Sequence, residues 1–268
     1  MDGTVSNADQ ATRESVEARA RYYSPANIFK VERPPIPAMA FVAERDQAMA
    51  PDAPTGWIPL DIGTQIGLDE PATTPLMLAR YGRVAPGESL TGAFRASGEF
   101  YFVISGDGRA TKGAESFAWE SGDVFSLPGG GETRLDGGAD GAVLLLVTNE
   151  PELAFHGLAA PTPEAAPTPA VRYPMADILA EMGRVRADQS ADPNASGRAL
   201  HLTSDRNGKA DAAHPSIKLA MNTLDPHSIQ RSHRHNSVAL TLPIEADNVY
   251  SVIEGNRLDW HPYALMIT

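Results

Sequence analysis

The stretch GESLTGAFRASGEFYFVISG, residues 87–106, decides the fold class. It contains a run of apolar and aromatic residues that lies between two glycines. Similar apolar and aromatic runs follow at ESFAWE (115–120), DVFSLP (123–128) and AVLLLVT (142–148). These short strand-like runs are separated by turn residues. Runs that repeat at intervals of about 8–12 residues in this way are typical of β-sandwiches and β-barrels. The sequence therefore predicts an all-β fold with a few short helices.

Composition narrows the classes of function. Hydrophobic residues make up 42% of the 268 residues and charged residues 21%, which is typical of a globular protein. The 34 acidic residues outnumber the 22 basic ones and give a net charge of −12, so binding to nucleic acid or to an anionic membrane is not expected. The start of the chain lacks the features of a signal peptide, and no apolar run could span a bilayer. A soluble, cytoplasmic protein is expected.

The absence of cysteine limits the chemistry of any metal site. With no cysteine in the chain, disulfides and thiolate ligands are impossible. A metal ion would have to be held by histidine, aspartate or glutamate.

The chain divides into four predicted parts. Residues 1–70 form an N-terminal helix, predicted over 6–21, and a proline-rich arm over 24–41, which together with an exposed barrel edge favours a homo-oligomer. Residues 71–150 form a first β-barrel. Residues 151–200 form a Pro/Ala-rich linker without helix or strand periodicity, followed by a helix over 173–186. Residues 201–268 form a second, incomplete barrel.

Glycine and proline spacing in the first barrel resembles the two motifs of the cupin superfamily, G-x5-H-x-H-x3/4-E-x6-G and G-x5-P-x-G-x2-H-x3-N. Gly87, Glu99 and Gly106 match the first motif, and Gly122, Pro128 and Gly130 match the second. Ala93, Arg95 and Thr133 stand where the motifs have histidine. The resemblance implies a bicupin, that is, two double-stranded β-helix (jelly-roll) barrels. Because the histidines are absent, the first barrel is expected to bind no metal.

Arg95 and Glu99 raise a local question inside this frame. They lie four residues apart, so on one continuous strand their side chains would share a face. Two arrangements are open: an ion pair inside the barrel, or two solvated charges at its opening.

The tripeptide His233-Arg234-His235 is the candidate metal site. On a strand, residues separated by one position point to the same face, so both imidazoles could bind one metal ion. Arg231 shares this parity and is a candidate for binding a substrate carboxylate. In the cupin alignment a third histidine falls beyond Thr268, and no glutamate stands at the expected position near Ala239.

The wording HRHNSVAL followed by YSVIEGNRLDW resembles the gentisate 1,2-dioxygenase branch of the bicupins. That resemblance implies a ring-cleaving dioxygenase in which histidines alone hold Fe(II), with His233 and His235 as metal ligands. A hydroxylated aromatic acid and O2 would be the substrates. Two alternatives stay open: a non-catalytic bicupin that binds a small molecule or serves as a scaffold, and a cupin lyase, isomerase or decarboxylase with Mn, Ni or Zn.

Overall fold

The computed structural model describes residues 17–26, 36–188, 198–207, 212–233 and 238–268. The chain separates into two compact units, residues 1–35 and residues 36–268. In the first unit the described residues contain one 3-10 turn, Glu17–Arg19. The predicted helix over 6–21 lies mostly outside the described residues.

The second unit is built mainly of β-strands, which confirms the predicted fold class. Its strands are β1 (Met39–Ala40), β2 (Gly56–Pro59), β3 (Leu78–Val84), β4 (Ser89–Ala93), β5 (Gly98–Lys112), β6 (Glu115–Glu120), β7 (Val124–Pro128), β8 (Glu132–Thr148), β9 (Val171–Tyr173), β10 (Arg198–Leu202), β11 (Leu219–Thr223), β12 (Leu240–Thr241), β13 (Tyr250–Ile253), β14 (Asn256–Asp259) and β15 (Met266–Ile267). Its α-helices are α1 (Val42–Met49), α2 (Glu150–Phe155) and α3 (Met175–Ala187), and none of the helices in the described ranges is long and apolar enough to cross a membrane.

The largest sheet has eight antiparallel strands and is organised by two long ones. In its main path the strand order is β2-β3-β8-β5-β7-β9, while β4 pairs with β8 and β6 pairs with β5. Strand β5 pairs with β7 along its first part and with β6 along its last, and β8 pairs with β4 and then with β3. The pairing between β5 and β8 is irregular between Val103 and Ser105 and again between Gly106 and Gly108. Such irregularities bend strands. The two halves of the sheet thereby enclose one apolar interior.

Strand alternation explains why the residues of AVLLLVT before Thr148 are all apolar. Leu144 and Leu146 point into the barrel interior, where Tyr101, Phe125 and Leu127 pack against them. The residues between them belong to a second core on the outer face of the sheet, which consists of Phe41, Leu60, Tyr81, Ile104, Val143, Leu145, Leu265, Ile267 and their neighbours. A strand that is buried on both faces needs apolar residues throughout.

Strand β9 joins the largest sheet, whereas the strands that follow it form smaller sheets. Strands β10 and β11 form one hairpin and β13 and β14 another, while β15 lies between β1 and β12 in a three-stranded sheet. Helix α3 packs its apolar side, Ile178 and Met182, against Val124 and Leu202. Asp123 accepts a hydrogen bond from the backbone N–H of Met175 (3.1 Å), which satisfies a donor in the first turn of α3. Whether residues 201–268 belong to a second barrel stays a prediction.

Candidate functional site

A buried polar cluster lies inside the first barrel at two of the positions that the cupin motifs single out. The Glu99 carboxylate accepts hydrogen bonds from the Lys112 ammonium, from the Tyr101 hydroxyl (2.7 Å) and from the Thr133 hydroxyl (2.7 Å). The ammonium also donates to Thr133 Oγ1 (2.8 Å). The side chains of Glu99 and Lys112 are both 0% exposed. This cluster is a closed network in which each member has a partner.

The electrostatics of the cluster follow from its burial. Removal from water raises the pKa of the Glu99 carboxyl, and the neighbouring Lys112 ammonium opposes that rise. Burial together with the charge of Glu99 raises the pKa of Tyr101 well above its usual value. Tyr101 therefore serves as a neutral hydroxyl donor, and Lys112 is the cation that directly contacts the carboxylate.

Neither expected arrangement of Arg95 and Glu99 is present. Glu99 is buried and pairs with Lys112, whereas Arg95 is exposed and donates from Nε to the carbonyl of Leu158 (2.6 Å). The expectation failed because β4 ends at Ala93 and β5 begins at Gly98, so the two residues are not on one continuous strand.

Lys112 is the residue that sequence reasoning missed. It lies at the end of β5, beyond the two pairing irregularities, and these change which residues of the strand face inward. Tyr101 and Val103 point inward before the irregularities, and Ala110 does so after them. Simple alternation counted from Glu99 therefore places Lys112 on the wrong face.

Residues 155–170, which we call the strap, cross the open end of the barrel next to this cluster. The Leu158 carbonyl accepts the bond from Arg95, and the Pro169 carbonyl accepts one from the Ser126 hydroxyl (2.8 Å). Gly130, which has a positive φ of 74°, lies so close to the Pro161 carbonyl that a Cβ would approach the oxygen to 1.7 Å. The segment predicted as a linker is thus packed onto the first barrel.

Two cavities flank the strap. One of about 570 Å3 is bordered by Phe94, Arg95, Gly130, Gly131 and strap residues 157–161. The other, of about 440 Å3, is bordered by Lys112, Glu115, Thr168 and Arg206 among others. In the second cavity the buried Thr168 Oγ1 has no hydrogen-bond partner among the described residues. The barrel interior itself is filled by apolar side chains and the Glu99–Lys112 pair.

A serine and a histidine meet at the end of the barrel, but they do not form a nucleophilic pair. Ser97 Oγ lies 2.8 Å from His214 Nε2, while His214 Nδ1 accepts the backbone N–H of Ser216 (3.1 Å). Neutral imidazole carries one proton, so Nε2 must be the protonated atom and the donor to Ser97. A histidine that activates serine needs a free Nε2 acceptor. Burial also lowers the pKa of His214, against the opposing charge of Glu152.

The predicted metal ligands are only partly described. His233 is exposed and lies in an irregular segment, with Nδ1 3.1 Å from the carbonyl oxygen of Arg231. Arg231 is also exposed, and His235 lies outside the described residues. The described residues 228–233 are not a strand, so the parity argument for His233 and Arg231 is not supported on this side of the pair. The next strand among the described residues is Leu240–Thr241.

The first barrel does not suit a metal ion. Of its four motif positions, Ala93, Arg95 and Thr133 carry no metal-binding group of the usual kinds, and Glu99 is engaged by an ammonium. Across the described ranges, no three His, Asp or Glu side chains are grouped closely enough to hold a metal. The pair His233/His235 supplies imidazole nitrogen, the donor that suits iron, nickel and zinc.

Comparisons with known proteins find relatives by structure only. No protein-family model matches the chain, and no curated protein matches it. Salicylate 1,2-dioxygenase of Pseudoaminobacter salicylatoxidans, crystallised as adducts with gentisate, superposes with a TM-score of 0.61 at 10% identity, over 100% of this chain and 86% of that one. Another structure of that organism's enzyme gives a TM-score of 0.59 at 11% identity, over 96% of this chain and 86% of that one. These structural neighbours, together with the strand architecture, show that the chain has the cupin fold, the double-stranded β-helix.

Proposed function

We propose that this protein is a ring-cleaving dioxygenase of the gentisate type, which uses iron bound through His233 and His235. The observation that carries the proposal is the structural likeness over the whole chain to a salicylate dioxygenase crystallised with gentisate. The resemblance of residues 233–240 and 250–260 to gentisate-type bicupins supports it independently of the fold.

The charges of the first barrel favour a position of the iron outside it. In the first barrel, an iron ion would have to displace the buried Lys112 ammonium from the Glu99 carboxylate. Leaving that ammonium unpaired in the interior would cost several kcal/mol, on the order of 3–5. His233 is exposed and carries an imidazole, a donor that suits iron. We therefore assign iron binding to the segment that contains His233 and His235.

The chain's own residues would divide the work as follows. His233 and His235 would supply neutral imidazole nitrogen as ligands. Arg231, two residues before His233, would bind the substrate carboxylate, because a guanidinium donates two parallel hydrogen bonds to that group. Bound iron would supply the activation of O2 and the polarisation of the substrate hydroxyl. The aromatic acid substrate would thereby be held by its carboxylate next to the metal.

A second candidate, a non-catalytic cupin that binds a small molecule, has one observation in its favour. The first barrel has a protein ammonium in contact with its motif glutamate, and two cavities of about 570 and 440 Å3 flank the strap at its open end. Both cavities are open to solvent, and their volumes are of the order of a small organic ligand.

Anaerobic reconstitution with Fe(II) tests the proposal. We expect the wild-type chain to bind iron and to consume O2 in the presence of gentisate or salicylate. His233→Ala and His235→Ala should each lose both properties, whereas His201→Ala, which changes an exposed histidine on β10, should keep them.

Each outcome of that experiment separates the candidates. Iron that is retained in both His233→Ala and His235→Ala would refute the assignment of the ligands. Iron binding without O2 uptake across a panel of hydroxylated aromatic acids would refute the dioxygenase. Calorimetric binding of one of these acids by metal-free protein, without O2 uptake, would favour the non-catalytic cupin.

A further inference from the structure

We infer that the first barrel contains a site for a monovalent primary ammonium, which the chain fills with its own Lys112. Removal of that side chain should leave a receptor for a free alkylammonium ion. This inference does not depend on the proposed iron site, because it concerns none of the residues His233, His235 and Arg231.

The geometry of the cluster is that of an ammonium receptor. Oxygen atoms of Glu99 and Thr133 converge on the single nitrogen of Lys112, with 2.8 Å between Nζ and Thr133 Oγ1. That distance suits an N–H···O hydrogen bond, whereas metal–oxygen bonds to zinc are about 2.0–2.2 Å. Thr133 accepts from the ammonium and donates to Glu99, so its hydroxyl has both roles filled.

The charge balance requires a cation here. The Glu99 side chain has no exposure to solvent, and a buried carboxylate without a counter-charge is strongly destabilising. Arg80, the other cation that acts on this cluster through its effect on Tyr101, is paired with Glu150. Lys112 is therefore the direct counter-ion of Glu99.

The backbone of Lys112 lies at the edge of the site, next to a turn. Lys112 is the last residue of β5 and pairs with Glu115 across the turn at Gly113 and Ala114. The same residue also borders the cavity of about 440 Å3 beside the strap. A free ion could thus enter from that cavity once the side chain is shortened.

The motif alignment also indicates a site for a monovalent cation. Glu99 and Thr133 stand where the cupin motifs place a glutamate and the last histidine. One carboxylate and neutral hydroxyls provide a single negative charge and no imidazole, a donor set that matches a monovalent cation better than a transition metal. A protein cation has taken the place that the motif reserves for a metal.

Chemical rescue of Lys112→Ala tests the inference. The substitution should lower Tm by roughly 10 °C, because it leaves the buried carboxylate unpaired. Methyl-, ethyl- or propylammonium chloride should then raise the Tm of the variant in a saturable way, and should not change the wild type in that manner. Potassium chloride and tetramethylammonium chloride at equal ionic strength serve as matched salts, since neither cation can donate a hydrogen bond.

Further variants keep the test decisive. Glu99→Gln/Lys112→Ala should not respond to alkylammonium, because its site has lost the carboxylate. If Lys112→Ala does not fold, Lys112→Met and Glu99→Gln/Lys112→Met replace the two variants, and Glu99→Gln should restore much of the stability that Lys112→Met loses. Arg109→Ala, an exposed cation on the same strand, should change Tm little.

Three results would overturn the inference. The first is equal stabilisation of wild type and Lys112→Ala by alkylammonium. The second is rescue of Lys112→Ala by Mn(II) or Zn(II) and not by alkylammonium, which would reveal a metal site. The third is a Lys112→Met variant as stable as the wild type, which would show that Glu99 needs no cation.

Discussion

Tyr81→Phe should loosen the C-terminal segment from the first barrel. Tyr81 is fully buried on β3, and its hydroxyl donates to the carbonyl of Tyr263 (2.7 Å) and accepts the backbone N–H of Leu265 (2.9 Å). These two bonds join residues that are far apart in the sequence. Phenylalanine keeps the ring and its packing, so the substitution removes only the hydroxyl and its two partners.

The expected cost follows from those two bonds. The loss of one such bond costs about 1 kcal/mol where water replaces the hydroxyl, and about 2 kcal/mol where the peptide group stays buried without a partner. The free energy of unfolding should therefore fall by about 2–4 kcal/mol, or roughly 4–16 °C in Tm for a unit of this size. Burial raises the pKa of Tyr81 to about 12, so the hydroxyl is protonated and the loss should be the same at any pH between about 6 and 9.

Equilibrium unfolding in urea measures the change, and hydrogen exchange of peptides that contain Leu265 locates it. Tyr250→Phe is the matched control, because Tyr250 is 50% exposed, contacts Arg257 through its ring, and has no hydroxyl hydrogen bond to any described residue. The reasoning is wrong if the two variants lose the same stability to within about 0.5 kcal/mol, or if exchange at Leu265 is unchanged.

Two further substitutions test other contacts. Burial lowers the pKa of His214 in the folded state. Neutral His214 therefore contributes stability above the unfolded-state pKa of about 6.5, and this contribution is lost as the pH falls through the lower folded-state pKa. A pH series of melting curves should show this loss in wild type and in His201→Gln, but not in His214→Gln. Gly130→Ala should lower Tm more than Gly113→Ala. Both glycines have positive φ, so both substitutions strain the backbone. At Gly130 the new Cβ would also collide with the Pro161 carbonyl, whereas at Gly113 its nearest neighbour is 3.8 Å away. An equal loss of Tm in the two alanine variants would mean that the strap can move away from Gly130 at little energetic cost.

The strands of the first barrel could be predicted because their signals are local. The predicted strands at 99–106, 115–120, 123–128 and 142–148 all coincide with observed strands, and the predicted helix over 173–186 corresponds to α3 at Met175–Ala187. Glycine turns and continuous apolar runs are present in the sequence itself. The cupin spacing singled out Glu99 and Thr133, and the structure shows that both are buried in the barrel.

The residues that the sequence did not predict depend on contacts between distant parts of the chain. Lys112 reaches Glu99 only because irregular pairing with β8 changes the inward-facing side of β5. The strap was interpreted as a linker because proline and alanine carry no periodicity, yet it is held by Arg95, Ser126 and Gly130. Helix α2 was also missed, since it is too short to show a helical repeat; Pro151 in its first turn favours its start.

For the candidate iron ligands, the local sequence signal is strong but the backbone structure that its interpretation assumed is not observed in the described residues before them. The spacing of His233 and His235 is a strong local signal, but its interpretation assumed a strand that the described residues before the pair do not form. A strand does occur downstream, at Leu240–Thr241, where pairing with Met266 and Ile267 stabilises it. Strand formation in this region thus depends on a partner that local sequence does not reveal.

The three-stranded sheet of β1, β15 and β12 has a consequence for synthesis on the ribosome. Met39 pairs with Ile267, and Phe41 and Leu265 belong to the same outer core as Tyr81 and Val143. That core cannot close until the residues around 265–267 have left the exit tunnel. Until then the first barrel has an uncovered apolar face, and contacts so distant in sequence form slowly. Nascent chains should be strong chaperone clients until that last pairing forms.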